Sequence, residues 1–315
     1  MQTINGRSAV GVTAFAKINL TLDVCGKRPD GYHEITSVMH QTGLCDKVVL
    51  EREKGEGITL KVESASTEDE SAKAALSHEL VPDGSDNIAY KAAALILEKA
   101  AEKGIEPGHL GIKLVKKIPA AAGLAGGSTD AAAVLTGVNK LLEGVFSEEE
   151  LCSMGVSLGA DVPFCIKGGC ALCSGIGEKM TSLPGLSGMP IVLVKPPVEV
   201  KTGPAYKLTD EWESEGKLAH PDSKALAELI SSGKVEKASD IAGYIGNSFM
   251  APVSSEFPVI ADIIEKLKEA GGTAQMSGSG PTVFALFDDR GSAYRTAEEI
   301  GRSFKDAYIY NGVLM

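Results

Sequence analysis

The sequence predicts an α+β protein in two domains, and three observations point there. Its 315 residues are about twice a typical domain and long enough to bury a sizeable core. Strand-like alternation and helix-like periodicity both recur through each half of the chain, with no internal repeat. Glycine is in surplus, 36 residues where average usage gives roughly 22, so the chain is rich in tight turns and close backbone approaches.

Residues 10–24 read as extended chain. Ile18, Leu20, Leu22 and Val24 alternate with Lys17, Asn19, Thr21 and Asp23, which puts Lys17 and Asn19 on one polar face. Lys-Arg-Pro-Asp-Gly at 27–31 has the chemistry of a turn, and β patterns follow at 47–50 and 58–62. Residues 64–85 are polar and aperiodic, as expected of a surface excursion. A helix is predicted over about 87–103, capped by Ser85 or Asp86 and stopped by Gly104. Strand-like alternation at 110–117 leads into an Ala- and Gly-dominated loop at 118–127 and a second helix at about 128–142. Ser-Glu-Glu-Glu at 147–150 matches a capping box and opens a third helix to about residue 158. Beyond a predicted domain boundary at 166/167 come strands at 170–174, 190–195, 273–276, 282–287 and 307–310, and helices near 223–231, 256–270 and 292–304. Residues 211–222 read as a second surface excursion.

The net charge of −11 offers no basic field for a nucleic acid or an anionic membrane, and no apolar run reaches the ~20 residues of a bilayer span. Six cysteines in so long a chain do not form a disulfide framework, and a reduced cytoplasm is the expected setting. Cys165, Cys170 and Cys173 lack a fourth zinc ligand at suitable spacing and read as small hydrophobes near a strand.

The richest chemical feature is the loop from Pro119 through Ala120, Ala121, Ala122, Gly123, Leu124, Ala125, Gly126 and Gly127 to Ser128 and Thr129, set between a strand and a helix. Small side chains let a ligand approach the backbone, and the helix start supplies unpaired N–H groups and a positive dipole end, so the loop can cradle a phosphate. It lacks the Lys-Ser/Thr ending of a Walker A loop and the spacing of a dinucleotide fingerprint. A bare packing turn is the plainer reading of such glycines. Likewise Lys17 alone reads as a solvated strand lysine, and Asp161, in Leu-Gly-Ala-Asp-Val-Pro-Phe at 158–164, as a turn or cap residue. Together they supply what phosphoryl transfer requires: a phosphate cradle, a cation for developing charge and a carboxylate to take a hydroxyl proton.

In this order, Ala-Phe-Ala-Lys-Ile-Asn-Leu at 14–20, the loop at 119–132 and Gly-Ser-Gly-Pro-Thr at 278–282 resemble the three motifs of the GHMP kinase superfamily. The run from Lys17 through Arg-Pro-Asp-Gly-Tyr-His to Glu34 is similar to the branch that phosphorylates a cytidine-bearing intermediate of the non-mevalonate isoprenoid route. Further matches at 86–88, 158–164, 175–178 and Asn247 extend the resemblance over nearly the whole chain.

That resemblance implies an N-terminal nucleotide-binding domain like domain 2 of ribosomal protein S5 over 1–166 and a ferredoxin-like α/β domain over 167–315, with the destination of the last strand left open. It implies ATP as co-substrate in the cradle at 119–129 and Mg²⁺ on the phosphates, with Ser128 or Thr129 as a candidate metal contact, though a helix cap serves either equally well. Lys17 and Asp161 become the catalytic pair, Asp161 as base for the 2-hydroxyl of cytidine diphosphate-linked methylerythritol and Lys17 holding it ionised. Asn19, Tyr32, His33, Thr202 and Tyr206 become acceptor-binding residues: Tyr32 stacks on the pyrimidine, His33 reads its polar edge and Tyr206 closes over it. A monomer or weak homodimer with a small-molecule substrate is the expected form. Where the family loop reads Gly-Leu-Gly-Gly-Gly-Ser-Ser, this chain has Ala125 at the third position and Thr129 at the last, and a positive φ at residue 125 would strain the alanine. Another GHMP small-molecule kinase, and a non-catalytic nucleotide-binding relative, stay open as alternatives.

Overall fold

A computed structural model describes residues 2–4, 7–65, 75 and 81–315. Most of the predicted excursion at 64–85 therefore lies outside the described residues. The larger of two sheets holds β1 (Gln2–Ile4), β2 (Arg7–Lys27), β3 (His33–Glu53), β4 (Ile58–Ser64), β5 (His109–Lys116), β6 (Cys170–Gly175) and β7 (Lys179–Leu183). Its path runs β1-β2-β3-β5-β4, with β6 joining β3 to β7. The smaller sheet is antiparallel, with β8 (Pro190–Lys195), β10 (Thr273–Met276), β11 (Val283–Leu286) and β12 (Tyr308–Val313) in the order β10-β11-β8-β12. That order, with helices in the β8–β10 and β11–β12 connections, is the ferredoxin-like arrangement. The larger sheet also includes β9 (Gly246–Asn247), which pairs parallel to β2.

The helices are α1 (Ile88–Glu102), α2 (Gly126–Leu141), α3 (Glu148–Leu158), α4 (Val162–Lys167), α5 (Thr202–Ser214), α6 (Ser223–Ser231), α7 (Met250–Glu256), α8 (Pro258–Glu269) and α9 (Arg290–Ser303). At α3 both capping-box bonds form between Ser147 and Glu150. Helix α1 is capped by Asn87, whose side chain accepts from the Ala89 N–H, rather than by Ser85 or Asp86. Helix α5 runs into the stretch read as a surface excursion; its composition is polar, and only Ala205 and Thr209 are buried along it. Most of β3 was also missing from the sequence reading, because its pattern between residues 33 and 46 includes buried Ser37, His40, Thr42 and Asp46.

One apolar cluster lies in the first half of the fold, a second joins the sheets around α7 to α9, and a third joins them elsewhere. The third packs Ile18, Leu20 and Leu44 of the larger sheet with Leu193, Phe284 and Leu286 of the smaller. The predicted cut at 166/167 falls just before β6 and β7, which hydrogen-bond into the larger sheet. The last strand pairs along β8, and just beyond it Leu314 bridges to Thr42 and the Met315 N–H donates to the Gln41 carbonyl.

Strand β2 departs from simple alternation where it matters. Register shifts between Phe15 and Lys17, Asn19 and Thr21, and Val24 and Gly26 mark bulges, which re-aim side chains. Lys17 and Asn19 consequently do not sit on a solvent face: both are buried, at 4 % and 1 % exposure.

Candidate active site

A cavity of about 920 Å³ lies between β2, the loop before α2, the start of α4 and the inner face of α5. At its centre the Lys17 ammonium stands 3.4 Å from Asp161 Oδ2 and donates to Asn19 Oδ1 at 2.7 Å. Asp161 is the residue before α4, yet its side chain makes no capping bond, which leaves the carboxylate free to face Lys17. The Lys17 N–H donates to the Leu124 carbonyl, tying β2 to the loop.

Asn19 is a junction. Its Oδ1 also accepts from the Gly278 N–H at 3.0 Å, its Nδ2 donates to Ser37 Oγ at 2.8 Å, and its own N–H donates to Ser277 Oγ. Oδ1 thus holds the Lys17 ammonium and the turn at Gly278, while Nδ2 uses one of its two hydrogens on Ser37, and Asn19 lines the cavity. Asn247 Nδ2 secures the same turn by donating to the carbonyls of Met276 and Gly278.

The loop at 119–125 curls against that turn. A Cβ on Gly123, which has φ +73°, would lie 2.4 Å from the Ser277 carbonyl oxygen and 2.9 Å from that of Gly280, so only glycine fits. Ala121 and Ala125 also take positive φ, +48° and +57°. The loop's ends are pinned by buried charge: Asp46 Oδ1 accepts from the N–H groups of Lys117 and Ile118, while Lys116 Nζ donates to Asp46 and, at 2.5 Å, to Asp130 Oδ2. Burial raises the pKa of Asp130 despite Lys116, and its Oδ1 has no hydrogen-bond partner among the described residues.

Of the predicted cradle, Pro119 to Gly123 and Ala125 to Ser128 line the cavity. Leu124 and Thr129 do not; both are buried, and the Thr129 hydroxyl serves the Cys165 thiol. Of the two hydroxyls at the start of α2, that of Ser128 lies at the cavity wall.

The far end is aromatic. Tyr32 is 61 % exposed at the rim. Behind it His33 stacks on Tyr206, with ring centroids 4.3 Å apart at 18°, and Phe249 meets Tyr206 edge-on at 4.8 Å. Burial and the nearby Asp161 charge push the Tyr206 hydroxyl up to about 12. One face of Tyr206 is thus taken by His33, whereas Tyr32 keeps its ring exposed. Thr202 also lines the cavity, its hydroxyl 3.3 Å from Ser279 Oγ. Asp210, absent from the sequence reading, holds His33 Nε2 at 2.7 Å. Its signal was there once α5 is seen as a helix: Thr202, Tyr206 and Asp210 recur every four residues, the spacing of one helix face.

A small-residue loop at a helix start, a Lys–Asp pair beside it and a ferredoxin-like second sheet define a GHMP kinase, and family models agree: residues 87–169 match the GHMP kinases N terminal domain and residues 224–306 the GHMP kinases C terminal. A 4-diphosphocytidyl-2-C-methyl-D-erythritol kinase of Acetivibrio thermocellus is 41 % identical over 303 residues, covering 96 % of this chain and 98 % of the relative, and that of Clostridium beijerinckii is 41 % identical over 300 residues, covering 95 % and 98 %. A crystal structure of 4-(cytidine 5'-diphospho)-2C-methyl-D-erythritol kinase superposes with a TM-score of 0.73 at 30 % identity, covering 97 % of this chain and 99 % of that one. The chain belongs to the 4-diphosphocytidyl-2-C-methyl-D-erythritol kinase family. A homoserine kinase of Cytophaga hutchinsonii, 19 % identical with a TM-score of 0.73, shares the fold.

Proposed function

We propose that this chain transfers the γ-phosphate of ATP to the 2-hydroxyl of 4-diphosphocytidyl-2-C-methyl-D-erythritol. The observation that carries the reading is one cavity with the small-residue loop at one end, the Tyr32–His33 end at the other and the Lys17–Asp161 pair between them. ATP phosphates fit the loop, where backbone N–H groups and the start of α2 supply positive potential. The cytosine lies against Tyr32 with its polar edge towards His33. The acceptor hydroxyl attacks the γ-phosphorus and its proton passes to Asp161; the bond from the γ-phosphorus to the bridging oxygen breaks, and ADP leaves with the electron pair. Lys17 orients Asp161 and stabilises charge on the transferring group.

Mg²⁺ suits the site, because Ser128 offers a hydroxyl at the cavity wall, and a cation carried chiefly by phosphates and water needs few protein ligands. Among the described residues no cluster of three or more His, Cys, Asp or Glu could hold a metal by itself. When bound, the ion neutralises charge on the β- and γ-phosphates. The chain works as a cytoplasmic monomer or weak homodimer in this reading, with free thiols kept reduced and no nucleic-acid or membrane partner.

ADP release coupled to a reporter enzyme tests the assignment. Turnover with the cytidine acceptor is expected, and turnover with mevalonate or homoserine in its place would overturn it. Asp161→Asn should lower kcat at least about a thousandfold while ATP binding changes less than about threefold.

A further inference from the structure

We propose that Asp46 and Asp130 share one proton beneath the loop before α2, and that binding of ATP draws this proton in from solvent. The inference rests on the seating of ATP at residues 119–129 proposed above. Asp46 is wholly buried and Asp130 is 2 % exposed, and both carboxylates hold the single ammonium of Lys116. Asp46 Oδ1 also accepts from the N–H groups of Lys117 and Ile118, whereas Asp130 Oδ1 has no partner among the described residues. The two carboxyl groups nevertheless lie within hydrogen-bonding reach of each other, a contact that a pair of ionised carboxylates cannot make because neither has a hydrogen to give. One proton supplies it.

Lys116 balances one negative charge, and a second carboxylate buried beside the first stays uncompensated unless it is protonated. Burial, countered by Lys116 and reinforced by Asp46, raises the Asp130 carboxyl to about 8. The other titratable group facing Asp130 is Cys165 of α4, whose thiol is kept protonated by burial and by the Asp161 charge. The cluster sits where a bound nucleotide meets its charge. Lys116 and Asp130 both line the cavity, and the Lys116 ammonium is 3.6 Å from where a Cβ on Gly126, the first residue of α2, would lie. With the proton the three groups are neutral together; without it they set a net negative charge against a triphosphate. ATP therefore favours the protonated cluster, and by linkage the protonated cluster favours ATP. The affinity is full below the pKa of Asp130 in the free chain and falls as the pH rises through it. Asp130 acts through the charge of the cluster and is a positioning residue.

Calorimetric titration of the full chain with MgATP at pH 8, in buffers of different ionisation heat, counts the protons taken up. Asp130→Asn is the comparison, because its amide keeps the shape, carries no charge and gives Asp46 a permanent hydrogen. The unmodified chain is expected to take up at least about a third of a proton per ATP more than this variant; protons exchanged by ATP itself cancel in the difference. ATP affinity of the unmodified chain should weaken at least about threefold between pH 7 and pH 9, and that of Asp130→Asn less than about 1.5-fold. Equal proton uptake in the two chains would assign Asp130 to support of the loop alone and overturn the proposal. Should the variant fail to fold, an affinity of the unmodified chain that is flat over this pH range overturns the proposal by itself. Failure of the unmodified chain to bind ATP would overturn the seating at residues 119–129 and this assignment together, whereas ATP binding without pH dependence would overturn this assignment only.

Discussion

Ala125 occupies φ +57° and ψ +32°, the left-handed conformation, at the residue before α2. For a residue with a Cβ that conformation costs about 1–2 kcal/mol, while glycine costs roughly 0.5–1 kcal/mol more in unfolded-state entropy. Ala125→Gly should therefore stabilise the fold by about 0.5 kcal/mol and tighten ATP binding modestly; thermal denaturation with and without ATP measures both, and a lower midpoint would remove the strain argument. At the same scale, Lys17 and Asp161 were picked out because phosphoryl transfer needs a cation and a base, and the two side chains stand 3.4 Å apart. Asn19 was legible as a polar residue of β2 but not in its partners. Its amide atoms are spent on Lys17, Ser37 and Gly278, partners up to 259 positions distant in the chain. Sequence spacing carries no information about such contacts.

Elements near the site are joined by a few buried polar residues. His40 of β3 is wholly buried; its Nδ1 donates to the Gln41 carbonyl and its Nε2 accepts from the Leu186 N–H, each at 2.8 Å. Burial lowers its pKa from the usual 6.5. Because the unfolded chain takes up the proton more readily, the stability from His40 is complete above about pH 6.5 and is lost as the pH falls below it, at up to ~1.4 kcal/mol per pH unit. Urea unfolding at pH 7.5 and 5.5 should show this slope, and His40→Gln should flatten it. The Asp46–Lys116–Asp130 cluster ties β3 and β5 to the first turn of α2 across the loop. Asp46→Ala leaves Lys116 half-paired and strips two N–H groups of their acceptor, and should cost about 3–5 kcal/mol in denaturant unfolding. A change under 1 kcal/mol would show that the loop ends hold without it. These residues defeated the reading of β3, since buried polar positions break the apolar alternation by which a strand is recognised. Helix α5 was missed for the opposite reason: it buries little, and its cavity-facing residues at every fourth position are polar or aromatic.

Across the whole molecule, the site exists where the two sheets meet. The turn before β11 packs on the loop before α2 so closely that Gly123 has no room for a Cβ, and Gly278 has the Gly123 carbonyl 3.0 Å from where its own would lie. Gly123→Ala should push the sheets apart locally, destabilise the chain by about 2 kcal/mol or more and raise KM for ATP. Normal thermal stability and ATP affinity in that variant would mean that the contact yields at no cost.

The sequence alone determined the class of fold and picked out the loop before α2, because small residues at a helix start are local chemistry, while it pointed to Lys17 with Asp161 and to Tyr32 with His33 through motifs that resemble those of a known family. Only the tertiary structure decided that Lys17 and Asn19 face inward, that Leu124 and Thr129 turn away from the cavity, and that Tyr206 and Asp210 hold His33. Bulges in β2 re-aim its side chains, and a helix of polar composition crosses from the second half of the chain to the first. Both effects arise from the packing of segments far apart in sequence, which hydrophobic periodicity does not encode.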